Sequence, residues 1–345
     1  MRAARFHAPG DIRLEDVPEP IAGPGEVRLR VRNCSTCGTD VKIFRNGHPN
    51  LSPPRVLGHE IAGEVDQVGD GVTGWAVGDR VQVIAAIPDG SCPQCRRGRP
   101  SVCANQESMG YQYDGGFAAH LTVPAKVLAA DGLNRIPDGV GFAEASVAEP
   151  LACVLNGQEL ARVGAGDTVV VVGAGPIGCL HVRLARSRGA ARVVLVELNR
   201  ARLDAAAVVH PDAAVCAAEA DPVDEVLKLT DGQGTDVIFT AAAAKAAQEQ
   251  ALLMAARSGR ISLFGGLAKN DPVIAFDANL VHSRGLTVVG ANGSSPAHNA
   301  RALELIATGA VPVADLITHL LPLNRVLDGL DLVARGEAIK VTIEP

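Results

Sequence analysis

The sequence is poor in aromatic residues, which make up 3% of its 345 positions, and it contains no run of five like charges. Its formal net charge is −6. A nucleic-acid-binding protein needs a basic face to neutralise phosphates and often uses aromatic rings to stack on bases. These absences therefore argue against nucleic acid as a partner.

Long apolar segments are also missing. No apolar stretch approaches the ~18 residues that a membrane-spanning helix requires. The first 20 residues carry charges where a secretion signal would need an apolar core, so we expect a cytoplasmic protein with no membrane partner. In that compartment the eight cysteines are expected to be reduced thiols or metal ligands rather than disulfides.

What is present indicates a globular protein with more than one domain. Hydrophobic residues make up 47% and charged residues 20% of the chain, which is ordinary for a folded protein. A chain of 345 residues is long enough for two domains with separate cores.

The middle of the chain carries the pattern of a dinucleotide-binding unit. Thr168–Val172 is apolar and β-branched, as in a strand buried on both faces of a parallel sheet. A G-x-G-x-x-G turn at 173–178 opens onto a helical pattern that Gly189 ends, and the apolar strand Val193–Val196 is followed by Glu197. A lone glycine motif also occurs in ordinary turns. Strand, turn, helix, strand and acid in register predict a dinucleotide-binding fold.

Each glycine of the turn has a mechanical role in that fold. Gly173 allows the tight turn, Gly175 lets a pyrophosphate approach the backbone, and Gly178 lets helix and strand pack closely. The phosphates then lie at the helix N-terminus, whose free N–H groups bind anions. Glu197 can accept hydrogen bonds from the adenosine ribose hydroxyls, which favours NAD, although Arg200 and Arg202 nearby each offer a partner for a 2′-phosphate.

The pattern on either side of this unit differs. Before residue 150, short strands with period-two alternation and glycine turns predict a barrel-like β domain. A helix over 144–165 is expected to lead from it into the nucleotide-binding fold, and an Ala-rich helix over 241–256 is expected later. The predicted strands in these flanking regions are 27–32, 61–68, 77–81, 237–240, 260–264, 286–289 and a closing strand at 339–343. We expect a six-stranded doubly wound sheet ending near Gly290.

Residues 88–103 form a cysteine-rich lobe. Cys92, Cys95 and Cys103 include a C-x-x-C pair, which suits a tetrahedral zinc site. A redox C-x-x-C is the alternative, but no thioredoxin-like strand and helix precede it.

Cys37, His59 and Glu149 are candidates for a catalytic metal site. Taken singly, each has an ordinary structural interpretation: a small core cysteine, a hydrogen-bonded core histidine, and a helix-capping acid ahead of Pro150. Their immediate contexts, Cys-Gly-Thr-Asp, Gly-His-Glu and Glu-Pro, favour the metal site.

With these motifs the chain resembles the zinc-dependent medium-chain dehydrogenase/reductase family, and within it the polyol branch that includes sorbitol (L-iditol) dehydrogenase. The resemblance extends over essentially the whole chain. It implies an α/β protein with a GroES-like β-barrel catalytic domain, formed by both chain ends, and an inserted, doubly wound Rossmann domain. We assign 1–152 and 291–345 to the first domain and 153–290 to the second.

The resemblance also implies roles for individual residues. Cys37 and His59 hold a catalytic zinc with Glu149, and Glu60 is a second acid that ligates zinc or exchanges with water. Such a zinc lowers the pKa of a substrate hydroxyl, the nicotinamide accepts a hydride, and Thr39 can hydrogen-bond the alcohol oxygen. The implied cofactor-binding residues are Gly173, Gly175, Pro176, Ile177, Gly178, Glu197, Arg202 and, by analogy alone, Asn292.

This sequence departs from the family pattern at two positions. Lys42 occupies the place of a histidine in a proton relay, and an exposed lysine is a poor base at neutral pH. It could also bind an anionic group or be a surface residue. Asp89 occupies the place of the first lobe cysteine. We expect it to complete a structural zinc site with Cys92, Cys95 and Cys103, the alternative being an ordinary turn residue beside free thiols.

The leading interpretation is an NAD-dependent dehydrogenase of a secondary alcohol in a polyol, sugar or cyclitol. Threonine or amino-alcohol oxidation, a zinc-free quinone or enoyl reductase, and a non-catalytic dinucleotide sensor are the alternatives. The expected partner is a small-molecule alcohol, and a homo-oligomer of two or four chains is typical of such folds.

Overall fold

The computed structural model describes residues 1–345 and divides them into two compact units. The first contains Met1–Ala152 and Gly293–Pro345, and the second contains Cys153–Asn292. None of the helices combines the length and the apolar character needed to cross a membrane.

The first unit begins with short strands and short helices. Its strands up to the unit boundary are β1 Arg2–Ala8, β2 Asp11–Asp16, β3 Val27–Ser35, β4 Arg55–Val56, β5 Glu60–Val68, β6 Arg80–Val83, β7 Ala86–Ile87, β8 Glu107–Ser108, β9 His120–Val123 and β10 Leu133–Arg135. The helices that begin in this part are α1 Gly38–Asn46, α2 Pro93–Arg96, α3 Ala125–Ala129, α4 Phe142–Ser146 and α5 Ala148–Leu160.

The second unit alternates strands and helices. Its strands are β11 Thr168–Val172, β12 Arg192–Glu197, β13 Ala213–Cys216, β14 Thr235–Thr240, β15 Ala255–Leu263 and β16 Thr287–Gly290. Its helices after α5 are α6 Pro176–Ser187, α7 Arg200–Ala205, α8 Pro222–Leu229, α9 Lys245–Met254 and α10 Ala278–Arg284. The chain then returns to the first unit with α11 Pro296–Ala307, β17 Ile317–Pro322, α12 Val326–Arg335 and β18 Lys340–Glu344.

The first unit is built on a seven-stranded sheet in the order β10-β6-β5-β3-β18-β17, with β9 also paired to β3. A smaller sheet, β2-β1-β4, packs with it around one core that includes Phe6, Leu29, Ile61 and Phe117. The C-terminal strand β18 lies between β17 and β3 and contributes Val341 and Ile343 to that core. Both ends of the chain therefore form one domain, as the GroES-like expectation requires.

The second unit is a parallel six-stranded sheet in the order β13-β12-β11-β14-β15-β16. The strand order reverses at β11, which is the arrangement of a doubly wound dinucleotide-binding sheet. The predicted fold class, a GroES-like domain with a Rossmann domain, is confirmed.

Several predicted bounds were wrong for local reasons. The strand predicted at 77–81 starts only at Arg80, because Gly78 adopts a φ of 95° that a strand does not contain. The single helix predicted over 144–165 is two helices, α4 and α5, and ends at Leu160. The helix predicted over 241–256 is only α9. Residues 241–242 lie beside the glycine turn, where a Cβ on Gly173 would be 3.1 Å from the backbone nitrogen of Ala242. At the other end, β15 already begins at Ala255.

Candidate active site

Three side chains of the first unit converge at the ends of neighbouring strands. β3 ends at Ser35 and pairs with β5 so that Ser35 lies opposite Glu60. Cys37 follows β3 at the start of α1, and His59 immediately precedes β5. One donor atom from each of Cys37, His59 and Glu60 lies within 4.8 Å of the other two. The antiparallel register thus brings Cys37 together with His59 and Glu60, although α1 and β4 lie between them in the sequence.

Asp40 positions two of these groups at once. Its Oδ2 accepts the backbone N–H of Cys37 at 2.8 Å, which closes the first turn of α1. Its Oδ1 lies 3.5 Å from Nδ1 of His59. A carboxylate beside one ring nitrogen orients the histidine so that the other nitrogen is available to a metal. Asp40 is 1% exposed and belongs to the motif recognised in the sequence, but its role was not predicted.

Lys340 lies on the other side of the cluster. Its ammonium forms an ion pair with Oε2 of Glu60 and donates a hydrogen bond to the carbonyl of Thr36 at 3.0 Å. Both charged side chains are buried. Oε1 of Glu60 has no hydrogen-bond partner. Sequence reasoning missed Lys340. In β18, Lys340 lies on the face opposite the apolar residues Val341 and Ile343, so the sequence pattern predicts a surface position for it.

Glu149 and Tyr111 complete the surroundings of the cluster. Glu149, in the first turn of α5, is 7% exposed and lies outside the group of three donors. Its charge nevertheless acts on Glu60 and on Lys340. Tyr111 is half-buried beside the same charges, and burial raises its pKa to about 12. No motif pointed to Tyr111, since a lone tyrosine in a loop carries no sequence signal.

The electrostatics of this cluster suit a cation. Burial and the nearby Glu149 raise the pKa of Glu60 to about 7, although Lys340 and His59 lower it. Burial alone would lower the pKa of His59, but Asp40 and Cys37 outweigh it and hold that pKa well above its ordinary value. Negative groups therefore dominate the surroundings of His59, and a bound cation would offset them. Thiolate, imidazole and carboxylate are also the ligand types of catalytic zinc, so these residues fit that metal.

The two remaining site candidates on α1 lie at its first turns. Thr39 is half-buried two residues after Cys37, whereas Lys42 is exposed. Thr39 therefore lies in the same first turn as Cys37, and Lys42 faces solvent.

The cysteine-rich lobe forms a second cluster. One donor atom from each of Asp89, Cys92, Cys95 and Cys103 lies within 4.8 Å of the other three. Sγ of Cys92 and Sγ of Cys103 are 3.8 Å apart. Burial raises the pKa of Cys95 to about 12, and the hydrogen bonds with the adjacent thiols of Cys92 and Cys103 contribute to the rise.

Asp89 also makes the hydrogen bonds of a turn residue. Its Oδ1 accepts the N–H groups of Ser91 and Cys92, each at 2.9 Å, and its Oδ2 accepts Nδ2 of Asn105 at 2.6 Å. These bonds hold the pKa of Asp89 well below its usual range. A carboxylate has about four acceptor positions, so three hydrogen bonds leave room for a metal.

In the second unit the glycine turn has the geometry that its motif predicts. Gly173 has a φ of 113°, which other residues rarely adopt. A Cβ on Gly178 would lie 1.7 Å from the carbonyl oxygen of Gly173, so only glycine fits. A Cβ on Gly175 would meet nothing within 4 Å, and this open space lies at the N-terminus of α6, where Pro176 begins the helix and half-buried Ile177 follows. The arrangement can receive a pyrophosphate.

Glu197 lies at the end of β12 against this turn. Its Oε2 accepts the N–H of Ala174 at 2.8 Å, and its Oε1 accepts those of Leu198 and Asn199 at 2.9 and 3.0 Å. Arg202 lies 4.0 Å from Oε2, close enough to interact with it.

Two more residues of the second unit bear on the expected cofactor binding. Arg200 is paired with Glu219. Asn292, at the end of the unit, accepts a hydrogen bond from Asn156 through its carbonyl at 3.3 Å. The structure shows no contact between Asn292 and the glycine turn.

Comparison with known proteins gives a consistent result. The family model "Alcohol dehydrogenase GroES-like domain" matches residues 23–136, and the model "Zinc-binding dehydrogenase" matches residues 176–308. A sorbitol dehydrogenase from Halalkalibacterium halodurans is 32% identical over 98% of this chain and 97% of its own length. An L-threonine 3-dehydrogenase from Pyrococcus furiosus is 37% identical over 88% of this chain and 86% of its own.

A solved structure from Sinorhizobium meliloti 1021, described as a zinc-binding dehydrogenase bound to NADP, is 31% identical to this chain. It superposes with a TM-score of 0.93 and covers 100% of this chain and 99% of its own. Two family models, near-full-length relatives and this structural match agree with the motifs and with the two-unit fold. The chain therefore belongs to the zinc-dependent medium-chain dehydrogenase/reductase family.

Proposed function

We propose that this chain is a zinc-dependent dehydrogenase that exchanges a hydride between NAD(H) and a secondary alcohol of a polyol, sugar or cyclitol. The observation that carries the proposal is the cluster of half-buried Cys37 with buried His59 and Glu60, whose donor atoms lie within 4.8 Å of one another. A zinc-free quinone or enoyl reductase needs no such ligand set, and neither does a non-catalytic nucleotide sensor.

The residues of the first unit have distinct roles in this proposal. Cys37 and His59 hold the zinc with one of the two acids Glu60 and Glu149. Zinc would supply a Lewis acid for the substrate hydroxyl, and the nicotinamide would supply the hydride acceptor. Asp40 fixes the ring of His59 and the start of α1. Thr39, half-buried at that start, donates or accepts the hydrogen bond that orients the substrate hydroxyl.

Proton release follows from the positions on α1. The proton leaves the substrate hydroxyl through the hydroxyl group of Thr39. Lys42 is exposed to solvent, so we assign it no part in the relay. Water therefore takes the proton directly.

The proposed cofactor preference for NAD depends on Glu197. A carboxylate at the end of β12 accepts ribose hydroxyls and repels a 2′-phosphate. Arg200 is held by Glu219 and is not available to such a phosphate. The solved relative bound to NADP shows that the fold itself does not exclude the phosphorylated cofactor, so the choice rests on these side chains.

Threonine or another amino-alcohol is the second candidate substrate class. The relative from Pyrococcus furiosus supports it at 37% identity. An amino-alcohol carries a positive charge, and the acids of the site, Asp40, Glu60 and Glu149, are all buried next to the donor cluster.

We also propose that the lobe holds a second, structural zinc through Asp89, Cys92, Cys95 and Cys103. Their donor atoms meet within 4.8 Å, and a structural site uses all four ligands so that no position stays open for substrate.

The proposed reaction is tested by initial rates with NAD and with NADP over polyols, cyclitols, aldoses and amino-alcohols. We expect NAD-dependent oxidation of at least one polyol-like alcohol and its abolition in Cys37→Ala and His59→Ala. His282→Ala, which removes an exposed histidine, is the control and keeps full activity. Undiminished turnover in folded Cys37→Ala would rule out the zinc mechanism. A preference for amino-alcohols over polyols would make amino-alcohols the substrate class.

A further inference from the structure

The ammonium of Lys340 is a buried charge with a fixed position. Lys340 is 2% exposed, and β18, which it begins, lies between β17 and β3. The backbone N–H and the hydroxyl of Thr36 both donate to the carbonyl of Val341, at 2.9 and 3.2 Å. Nζ of Lys340 donates in return to the carbonyl of Thr36. The ammonium is therefore held beside the pairing of β18 with β3, and its movement to solvent would break its hydrogen bond to Thr36 and its ion pair with Glu60.

Glu60 is the acid that this ammonium holds. It is 0% exposed, its Oε2 is paired with Lys340, and its Oε1 has no hydrogen-bond partner. The same carboxylate supplies one of the three donor atoms within 4.8 Å. A metal held by Cys37 and His59 would therefore compete with Lys340 for one carboxylate. An unpaired buried oxygen costs free energy, so Oε1 is available to whichever cation approaches it.

Lys340 is also the only buried lysine or arginine of the first unit. The acidic groups nearby are the thiol of Cys37 and the carboxyls of Asp40, Glu60 and Glu149. They lie close enough together for their charges to interact. Removal of one partner from a buried ion pair leaves an uncompensated charge, which then seeks another partner. For Glu60 without Lys340, the remaining partner is the metal.

We propose that Lys340 is a positioning residue that keeps Glu60 an exchangeable, rather than permanent, ligand of the metal. The inference rests on the proposed zinc function. With Lys340 in place, the carboxylate can leave the metal at little cost, because a second cation receives it. A substrate hydroxyl can then take the vacated position.

The test compares zinc affinity and cobalt spectra of the full-length protein. Apo-protein is titrated with zinc against a chromophoric chelator, and the cobalt-substituted protein is titrated with imidazole while its visible spectrum is recorded. Lys340→Met removes the charge and retains the side-chain length. Lys340→Arg retains the charge. Lys340→Met with Glu60→Gln removes both members of the pair.

We expect Lys340→Met to bind zinc at the Cys37 site at least ~10-fold more tightly than the wild type, on the scale of effects of groups that contact metal ligands. Its cobalt spectrum should also resist imidazole. Lys340→Arg should behave like the wild type, and the double variant should lose the gain in affinity. A merely structural Lys340 predicts the opposite direction, because a weakened fold holds zinc less well. Equal or weaker zinc binding in folded Lys340→Met overturns the inference.

If Lys340→Met does not fold, Glu60→Gln tests whether Glu60 is an exchangeable ligand. Removal of an exchangeable ligand should let imidazole bind the cobalt protein several-fold more tightly, and an unchanged imidazole affinity overturns the inference. If the wild-type protein binds no zinc at the Cys37 site, the proposed function is wrong as well as this inference. Wild-type protein with zinc and turnover, but no gain in Lys340→Met, would remove only this inference.

Discussion

Glu197 ends β12 with both carboxylate oxygens accepting backbone N–H groups, from Ala174 on one side and from Leu198 and Asn199 on the other. It therefore joins the glycine turn to the segment that follows the strand. At 8% exposure, its carboxylate receives these hydrogen bonds in place of water. The same residue thus serves the local fold and the proposed selection of the cofactor.

We predict that the wild type prefers NAD over NADP by at least ~10-fold in kcat/KM, and that Glu197→Gln brings this ratio towards one. The substitution keeps the shape of the side chain but removes the charge that repels a 2′-phosphate. Initial rates with both cofactors measure the ratio. Arg200→Ala is the control, since Arg200 is held by Glu219, and it should keep the wild-type ratio. Comparable efficiencies with both cofactors in the wild type would contradict the prediction.

His181 is a second residue whose environment has a measurable consequence. It is 0% exposed on α6, its ring stacks on Phe239 at 4.2 Å, and it meets Phe264 edge-on at 4.8 Å. Its Nε2 has no hydrogen-bond partner. Burial, and then the charge of Arg188, lower its pKa to about 3.

We predict a pH-dependent loss of stability that His181→Gln removes. In the unfolded chain this histidine takes up a proton below about pH 6.5, whereas in the folded chain it does so only near pH 3. The unfolded state therefore binds more protons between these values, and stability falls as pH falls through this window. Between pH 8 and pH 5 the wild type should lose about 2 kcal/mol more than His181→Gln. Denaturant unfolding at both pH values measures this difference.

His282→Gln is the control for that experiment, since its histidine is exposed. It should follow the wild type. An equal pH dependence in wild type and His181→Gln would mean that the ring is hydrated in solution.

At the scale of elements, the lobe at 88–103 depends on polar contacts more than on a core. Its only helices are α2 and one short turn at 100–102, and Cys92 is its only buried cysteine. Such a segment folds with a metal more readily than without one, because binding supplies the free energy that apolar burial does not.

We predict two zinc ions per chain in purified, unchelated protein and one in Asp89→Ala, with cofactor binding unchanged. Asn105→Ala is the matched control. It removes the hydrogen bond to Oδ2 of Asp89 but no metal ligand, so it should keep both ions. Metal analysis and thermal unfolding measure the outcome. A single zinc in the wild type, or two in Asp89→Ala, would make Asp89 an ordinary turn residue.

At the scale of the whole molecule, the last strand of the chain completes the site that its first residues begin. β18 pairs with β3 through Thr342 and Ser35, and it carries Lys340. The proposed metal donors Cys37, His59 and Glu60 lie in the first part of the sequence, so their buried surroundings combine residues from both chain ends.

We predict that a chain truncated after Ile339 fails to bind zinc at the Cys37 site and unfolds at a lower temperature. It lacks the strand that fills the gap between β17 and β3, including buried Val341 and Ile343. A chain truncated after Ile343 is the control, since it loses only exposed Glu344 and half-buried Pro345, and it should keep its zinc. Zinc content and thermal melting distinguish the two. Normal zinc binding in the shorter chain would show that β18 is dispensable.

The sequence by itself determined the features that depend on short spacings. Strand β11 was predicted with its observed bounds, and the glycine turn, α6 and β12 follow as expected, because each needs only neighbouring residues to be specified. The proposed ligands of the lobe lie within 15 residues of one another, so their spacing alone predicted a metal site as well. The family resemblance added the fold class, because its motifs are distributed along the whole chain.

Only the tertiary structure decided which distant residues meet. Glu60 rather than Glu149 joins Cys37 and His59 in the tight cluster, since the register of β3 on β5 places Glu60 opposite Ser35. Lys340 reaches Glu60 because β18 inserts beside β3, and Tyr111 reaches the same charges through a loop. Such contacts depend on strand register and packing across the whole domain, and a sequence read in local windows does not contain that information.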